Sequence, residues 1–225
     1  MAAALVFGGG GQIGAACLGA LRAQGFEVTA TGRTAADGIA AYDPLADKLA
    51  LPGEGAFDAV VWAQGANLND SVLDFDVERH RAIYDANVTF VLESLHALLV
   101  SDRLASSARL CVISSVWQTV ARPNKLSYMV SKAALQGLVL SAATDLGERG
   151  ILVNAVLPGA IDTPMTRQNL TPEQIGRIAG MTKFDRLAGL GDVAALVGFL
   201  CSAANTSITG QFIAVDLGFQ NARLV

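Results

Sequence analysis

A chain of 225 residues that is 52% hydrophobic and 16% charged is long enough to bury one α/β core as a single domain. Its formal net charge is −4, and its 12 arginines and four lysines are scattered without forming blocks, which argues against a nucleic-acid partner. MAAALVF lacks the basic start of a signal peptide, and no uninterrupted apolar run reaches the roughly 18 residues needed to span a bilayer, so no membrane association is expected.

Short β-branched runs alternate with longer helical patterns. Strands are predicted at 4–7, 26–31, 39–42, 57–63, 109–114, 151–157 and 211–217, and helices at 11–25, 76–103, 127–147 and 191–203, with a further helical segment at 164–180. This order implies a seven-stranded parallel sheet, doubly wound, with helices on both faces. Ligands of such sheets bind beyond the carboxyl ends of the strands, near the point where the strand order reverses. Cys17, Cys111 and Cys201 are odd in number and lie in apolar surroundings, as reduced packing residues do, so a cytoplasmic location is expected. The only histidines, His80 and His96, fall in helical stretches, which leaves neither a Ser-His-Asp hydrolase nor a histidine-rich metal site easy to build.

After the first strand comes FGGGGQIG. Gly9, Gly11 and Gly14 satisfy G-x-G-x-x-G, while Gly8, Gly11 and Gly14 fit a G-x-x-G-x-x-G frame equally well. Glycines there let the backbone approach a pyrophosphate, whose charge then meets the free N–H groups of the following helix. A plain strand-to-helix turn is the competing reading, and the position at the first βα junction favours phosphate. At the end of strand two an NAD site would carry a carboxylate; this chain has Thr31-Gly32-Arg33-Thr34, with none before Asp37. Arg33 offers a planar cation suited to a 2′-phosphate, so NADP(H) is favoured over NAD(H), a solvated turn arginine being the alternative.

Tyr128 and Lys132 leave one face of a predicted helix, where an ammonium beside the phenol would favour the phenolate. Ser115 ends a buried strand, and Asn87 interrupts the apolar stretch YDANVTFVLESL.

With these residues the sequence resembles the short-chain dehydrogenase/reductase family, from Leu5 to Gly218. The resemblance is carried by the glycine loop, Asp43, Gly65, Asn87, Ser115, Tyr128 and Lys132 followed by two alanines, Asn154, the run Pro158 to Pro164, and TGQFIAVDLG. It implies a Rossmann-type fold holding cofactor and substrate sites in one domain. It implies that Tyr128 is the general acid or base, that Lys132 lowers its pKa and holds the nicotinamide ribose, that Ser115 bonds the substrate oxygen, and that Asn87 holds a relay water. By the same resemblance the cofactor would meet Gly8, Gly11, Gln12, Ile13, Gly14, Arg33, Asp43 at the adenine, Gly65, Pro158, Gly159, and Ile161 and Thr163 at the carboxamide. Ser115, Trp117, Gln118 and Met165 would meet substrate, helped by Val120 and a lid over 165–184. No metal is implied.

The chain departs from the family pattern at several places. Phe7 replaces a threonine, Gln12 a glycine, and Trp62-Ala63-Gln64-Gly65 an Asn-Asn-Ala-Gly run. The expectation is that Phe7 and Trp62 exchange a polar tie between strands one and four for aromatic packing. Asp216-Leu217-Gly218 replaces Asp-Gly-Gly, and the seven residues beyond leave little tail to cover a substrate. The reading is an NADP(H)-dependent oxidoreductase interconverting a ketone or aldehyde and an alcohol. An NAD-dependent alcohol dehydrogenase and a catalytically idle nucleotide-binding subunit are the alternatives. A halohydrin lyase would lack the glycine loop and the lysine, and enoyl reductases space tyrosine and lysine more widely. A mean hydropathy of +0.43 points to a homodimer or homotetramer.

Overall fold

The computed structural model describes residues 1–46, 51–163, 166–167 and 170–222. Seven parallel strands form one sheet: β1 (Ala3–Phe7), β2 (Glu27–Gly32), β3 (Ala40–Ala41), β4 (Phe57–Trp62), β5 (Leu104–Ile113), β6 (Leu152–Pro158) and β7 (Phe212–Val215). Their order is β3-β2-β1-β4-β5-β6-β7, so the direction of winding reverses between β1 and β4. Each predicted strand is present, and β5 starts five residues earlier than expected, after a register shift against β4 between Phe57 and Ala59.

Alternation along the strands builds two cores. Leu5, Phe7, Val60, Trp62, Leu110 and Val112 face one side with Val91, Leu98, Leu135 and Val139. Those last four come from α3 (Phe90–Val100) and α4 (Leu126–Asp145). Ala4, Val6, Ala59, Val61, Cys111 and Ile113 face the other side with Cys17, Leu21, Val197 and Cys201 of α1 (Gln12–Ala23) and α6 (Leu190–Cys201). The three cysteines are thus free thiols gathered in one core. Burial and the nearby Cys201 push the Cys17 thiol up to about 12, and Cys111 is pushed up by the Cys201 thiol and by burial.

The single helix predicted over 76–103 is instead α2 (Val77–Tyr84), a π-turn over Asp85–Thr89, and α3. Val77–Val100 is long and apolar enough by composition to cross a membrane, yet Ile83, Val88, Val91, Leu95 and Leu98 of this stretch are buried in the protein core. The predicted segment at 164–180 contains α5 (Pro172–Ala179), started by a capping box between Thr171 and Gln174 and by Pro172 in its first turn.

Candidate active site

At the carboxyl end of β1 the glycine loop turns into α1. Gly8 has φ +79°, and a Cβ there would lie 2.5 Å from the Gln64 nitrogen; a Cβ on Gly14 would overlap the Gly8 carbonyl oxygen. Side chains at either place would force apart the loop, α1 and the segment after β4. Gly11 N donates to Gly8 O at 2.9 Å, and Gly11 is the N-cap of α1 with no side chain capping it. A helix start left bare in this way offers N–H groups to an anion. Gln12, the first residue of α1, is exposed, and Ile13 is half-buried. Arg33, just past β2, is exposed, and Asp43 accepts from Leu45 N at 2.9 Å. These features fit a dinucleotide: a side-chain-free crossing, an uncapped helix and a cation beyond β2. The Gln64 Oε1 beside the crossing is buried without a partner, as is Thr31 Oγ1 at the end of β2.

Phe7 and Trp62 are paired in register across β1 and β4, and their rings stack with centroids 5.7 Å apart and planes 21° from parallel. Tyr42 and Phe90 complete the cluster, each centred within 5.6 Å of the Phe7 ring. Trp62 Nε1 donates to Ser94 Oγ on α3 at 2.8 Å, so the indole is packed and its one donor satisfied.

Ser115 follows β5 and caps a 3-10 turn over Val116–Gln118, accepting from Trp117 N at 3.3 Å. Its hydroxyl lies close to the Tyr128 phenol. Burial pushes that phenol above its ordinary value and the Ser115 hydroxyl pulls it back. Lys132 lies one turn further along α4, buried, with Nζ donating to Ile113 O at 3.0 Å and standing 5.8 Å from the Tyr128 ring centroid. Burial lowers Lys132 to about 8. Asn87 sits in the π-turn, an irregularity frequent at functional sites. Its Oδ1 accepts from Ala66 N at 2.7 Å, and its Nδ2 donates to Ala66 O at 3.1 Å and Ser131 Oγ at 2.9 Å. Gly65 fits between the two: a Cβ there would come within 2.9 Å of Asn87 Oδ1 and 3.6 Å of Lys132 Nζ. Asn87, Ser115, Tyr128 and Lys132 are therefore brought together around the ends of β4 and β5.

Pro158, the last residue of β6, is buried, and just beyond it Gly159 N donates to Val215 O at 3.0 Å. Ile161 is buried and forms a parallel bridge with Ala188, and Thr163 Oγ1 lies 3.0 Å from Thr166 Oγ1. Trp117 packs edge-on against Phe219 at 5.6 Å, whereas Gln118 is buried with its Oε1 taken by Ser114 Oγ at 2.7 Å. Met165 lies outside the described residues.

Three features escaped the sequence. The short tail does wall a cavity: Phe219–Ala222, with Thr119, Val120, Ala121 and Met181, line about 620 Å³ beside Trp117, and Thr119 Oγ1 donates to Gln220 Oε1 at 2.6 Å. Asp70, buried after β4, accepts from Ser127 N at 3.0 Å and from its hydroxyl, capping α4 across 57 positions. Lys125 is buried at the N-cap of α4, and its spacing of three from Tyr128 and seven from Lys132 was a readable sign that the three share a helix face.

The chain is similar to known proteins in both sequence and fold. A family profile described as enoyl-(acyl carrier protein) reductase matches residues 50–220. The 3-oxoacyl-[acyl-carrier-protein] reductase FabG of Salmonella typhimurium is 30% identical over 96% of both chains. A short-chain dehydrogenase/reductase family oxidoreductase from Burkholderia thailandensis superposes with a TM-score of 0.86 at 27% identity, covering 97% of this chain and 92% of that one. A gluconate 5-dehydrogenase from Burkholderia cenocepacia, solved with NADP and tartrate, shares the fold at a TM-score of 0.90 and 22% identity, covering 99% and 96% of the two chains. Sheet order, site geometry and relatives agree: this chain belongs to the short-chain dehydrogenase/reductase family and is an NAD(P)-dependent oxidoreductase acting between CH–OH and C=O groups.

Proposed function

We propose that the protein is an NADP(H)-dependent carbonyl reductase in which Tyr128 is the general acid, with cofactor and substrate sites held in the one domain. The observation that carries this reading is the gathering of Ser115, Tyr128 and Lys132 beside the glycine crossing. Gly8, Gly11, Gln12, Ile13 and Gly14 hold the pyrophosphate, Arg33 reads the 2′-phosphate, Asp43 meets the adenine, and Gly65, Pro158, Gly159, Ile161 and Thr163 hold the nicotinamide half. The bound nicotinamide supplies the hydride. Ser115 hydrogen-bonds the substrate carbonyl oxygen and Tyr128 donates a proton to it. Lys132 and Asn87 return the proton to Tyr128, and Lys132 positions the nicotinamide ribose. Trp117, Gln118 and Met165 shape the substrate site, together with Val120 and the cavity walled by Phe219 and Met181.

What supports reduction of a carbonyl, and not of an enoyl bond, is the four-residue spacing of Tyr128 and Lys132 and the similarity to a 3-oxoacyl reductase. Location in the cytoplasm fits the three free thiols. Exposed Leu92 and Val100 on α3 and Val130 and Leu140 on α4 support a homodimer or homotetramer closed through these helices.

The test is a fluorescence titration with NADPH and NADH, followed by reduction of ethyl acetoacetate, a small 3-oxoester. NADPH should bind at least about tenfold more tightly, Arg33→Ala should remove the difference, and Tyr128→Phe should lower kcat about 10²- to 10⁴-fold. Equal affinity for the two cofactors would reduce Arg33 to a turn residue, and full activity in Tyr128→Phe would end the acid assignment.

A further inference from the structure

A buried ammonium is costly unless its protons find acceptors. Lys125 meets this condition with oxygens that come entirely from the segment after β4: Asn69 Oδ1 at 2.5 Å, Asn67 Oδ1 at 2.6 Å and Leu68 O at 3.4 Å. That segment is held at both ends by groups of the site. At one end Ala66 takes the Asn87 side chain; at the other, Asp70 O accepts from Leu126 N at 3.2 Å and the Asp70 carboxylate caps α4. The same ammonium stands 5.6 Å from the Tyr128 ring centroid, so with Lys132 at 5.8 Å the ring has two lysine cations beside it.

We propose that Lys125 is a positioning residue of the Tyr128 site, tying the segment from Ala66 to Asp70 onto the head of α4 and setting a second fixed cation beside the ring to favour the phenolate. This rests on the reading of Tyr128 as the acid–base group. Other charges face the pair from each neighbouring element. Arg122, from the turn before α4, opposes the charge on Lys125, and Asp70 supports it. Lys132 shares α4, and His80 of α2 reaches the cluster only through Ser127 Oγ, at 2.9 Å from its Nδ1. Burial acts on Lys125 in the same direction as Arg122, lowering its pKa, so the cation has its effect below the point where Lys125 itself loses a proton.

The pH midpoint of Tyr128 ionisation tests this without any substrate. It is read from the 13C ring resonances of the whole protein labelled at tyrosine Cζ, with Tyr128→Phe assigning the signal among three tyrosines. A unit charge at this range through an effective dielectric near 20 is worth about two pKa units, so Lys125→Met should raise that midpoint by about two units. Lys125→Arg should keep it within about 0.3 unit. Lys125→Gln, which retains N–H donors for the asparagine oxygens without the charge, replaces the methionine variant if that one does not fold. An unchanged midpoint in the neutral variants, or an equal rise in the arginine variant, overturns the proposal. Loss of activity in Tyr128→Phe is decided separately with ethyl acetoacetate, so failure of the acid–base reading and failure of the Lys125 role remain distinct.

Discussion

Lys132 is held where an ammonium is poorly solvated, with one carbonyl oxygen, that of Ile113, bonded to its Nζ. Its folded pKa of about 8 lies below the ordinary 10.5, so between these values the unfolded chain binds more protons than the folded one. Stability therefore rises with pH across that window, and the full penalty of burial applies below pH 8. Two and a half units correspond to about 3 kcal/mol as an upper figure. Lys132→Met should be about 1–3 kcal/mol more stable than the parent at pH 7 in urea denaturation, while losing activity. The advantage should shrink as the pH is raised past 8 towards 10; a variant less stable at pH 7 would mean that the bond to Ile113 outweighs desolvation. Tyr128 and Lys132 were legible from their four-residue spacing on one helix, Ser115 from its place at the end of a buried strand, and Asn87 as a polar residue in an apolar stretch. The direction of the Tyr128 shift was not: sequence places an ammonium near the phenol, but burial raises the phenol and turns the ammonium towards Ile113. Lys125 was passed over because lysine is normally an exposed residue, and its acceptors come from a segment more than 50 positions away.

Among the elements, β1 and β4 are joined by an aromatic stack of Phe7 on Trp62. Removing the Trp62 ring leaves a cavity beside Phe7 in the core, so Trp62→Ala should cost about 3–5 kcal/mol in denaturant unfolding. Trp62→Phe keeps the packing and loses the donor to Ser94, and should cost about 1 kcal/mol. If the two variants were equally destabilised, the ring stack would contribute little. Every strand could be read from its β-branched run. The break between α2 and α3 could not, because the π-turn is matched by contacts of Asn87 with Ala66 and Ser131, which helical periodicity does not record. The early start of β5 was hidden for a related reason: Ser106 and Ser107 look like a turn, and Ser107 has φ +67°, yet the strand continues through them.

For the molecule as a whole, the two cores explain why nearly all the fold was legible, since the alternation that fills them is written in the strands themselves. What lies outside the cores depends on contacts between distant loops. Val130 and Leu140 on α4 are exposed while the opposite face of that helix is packed, so Val130→Glu with Leu140→Glu should convert an oligomer into a monomer in light scattering. A parent protein that is already monomeric would remove the homo-oligomer reading. The glycine crossing at the head of α1 bears on how such proteins are found. At Gly8 and Gly14 the absence of a Cβ is a condition of assembly, whereas Gln12, between them, stands in the open. A search that demands a glycine at position 12 would discard this chain; a search by excluded volume would keep it, because the motif is a shape cut out of the backbone and its spelling drifts wherever that shape is untouched.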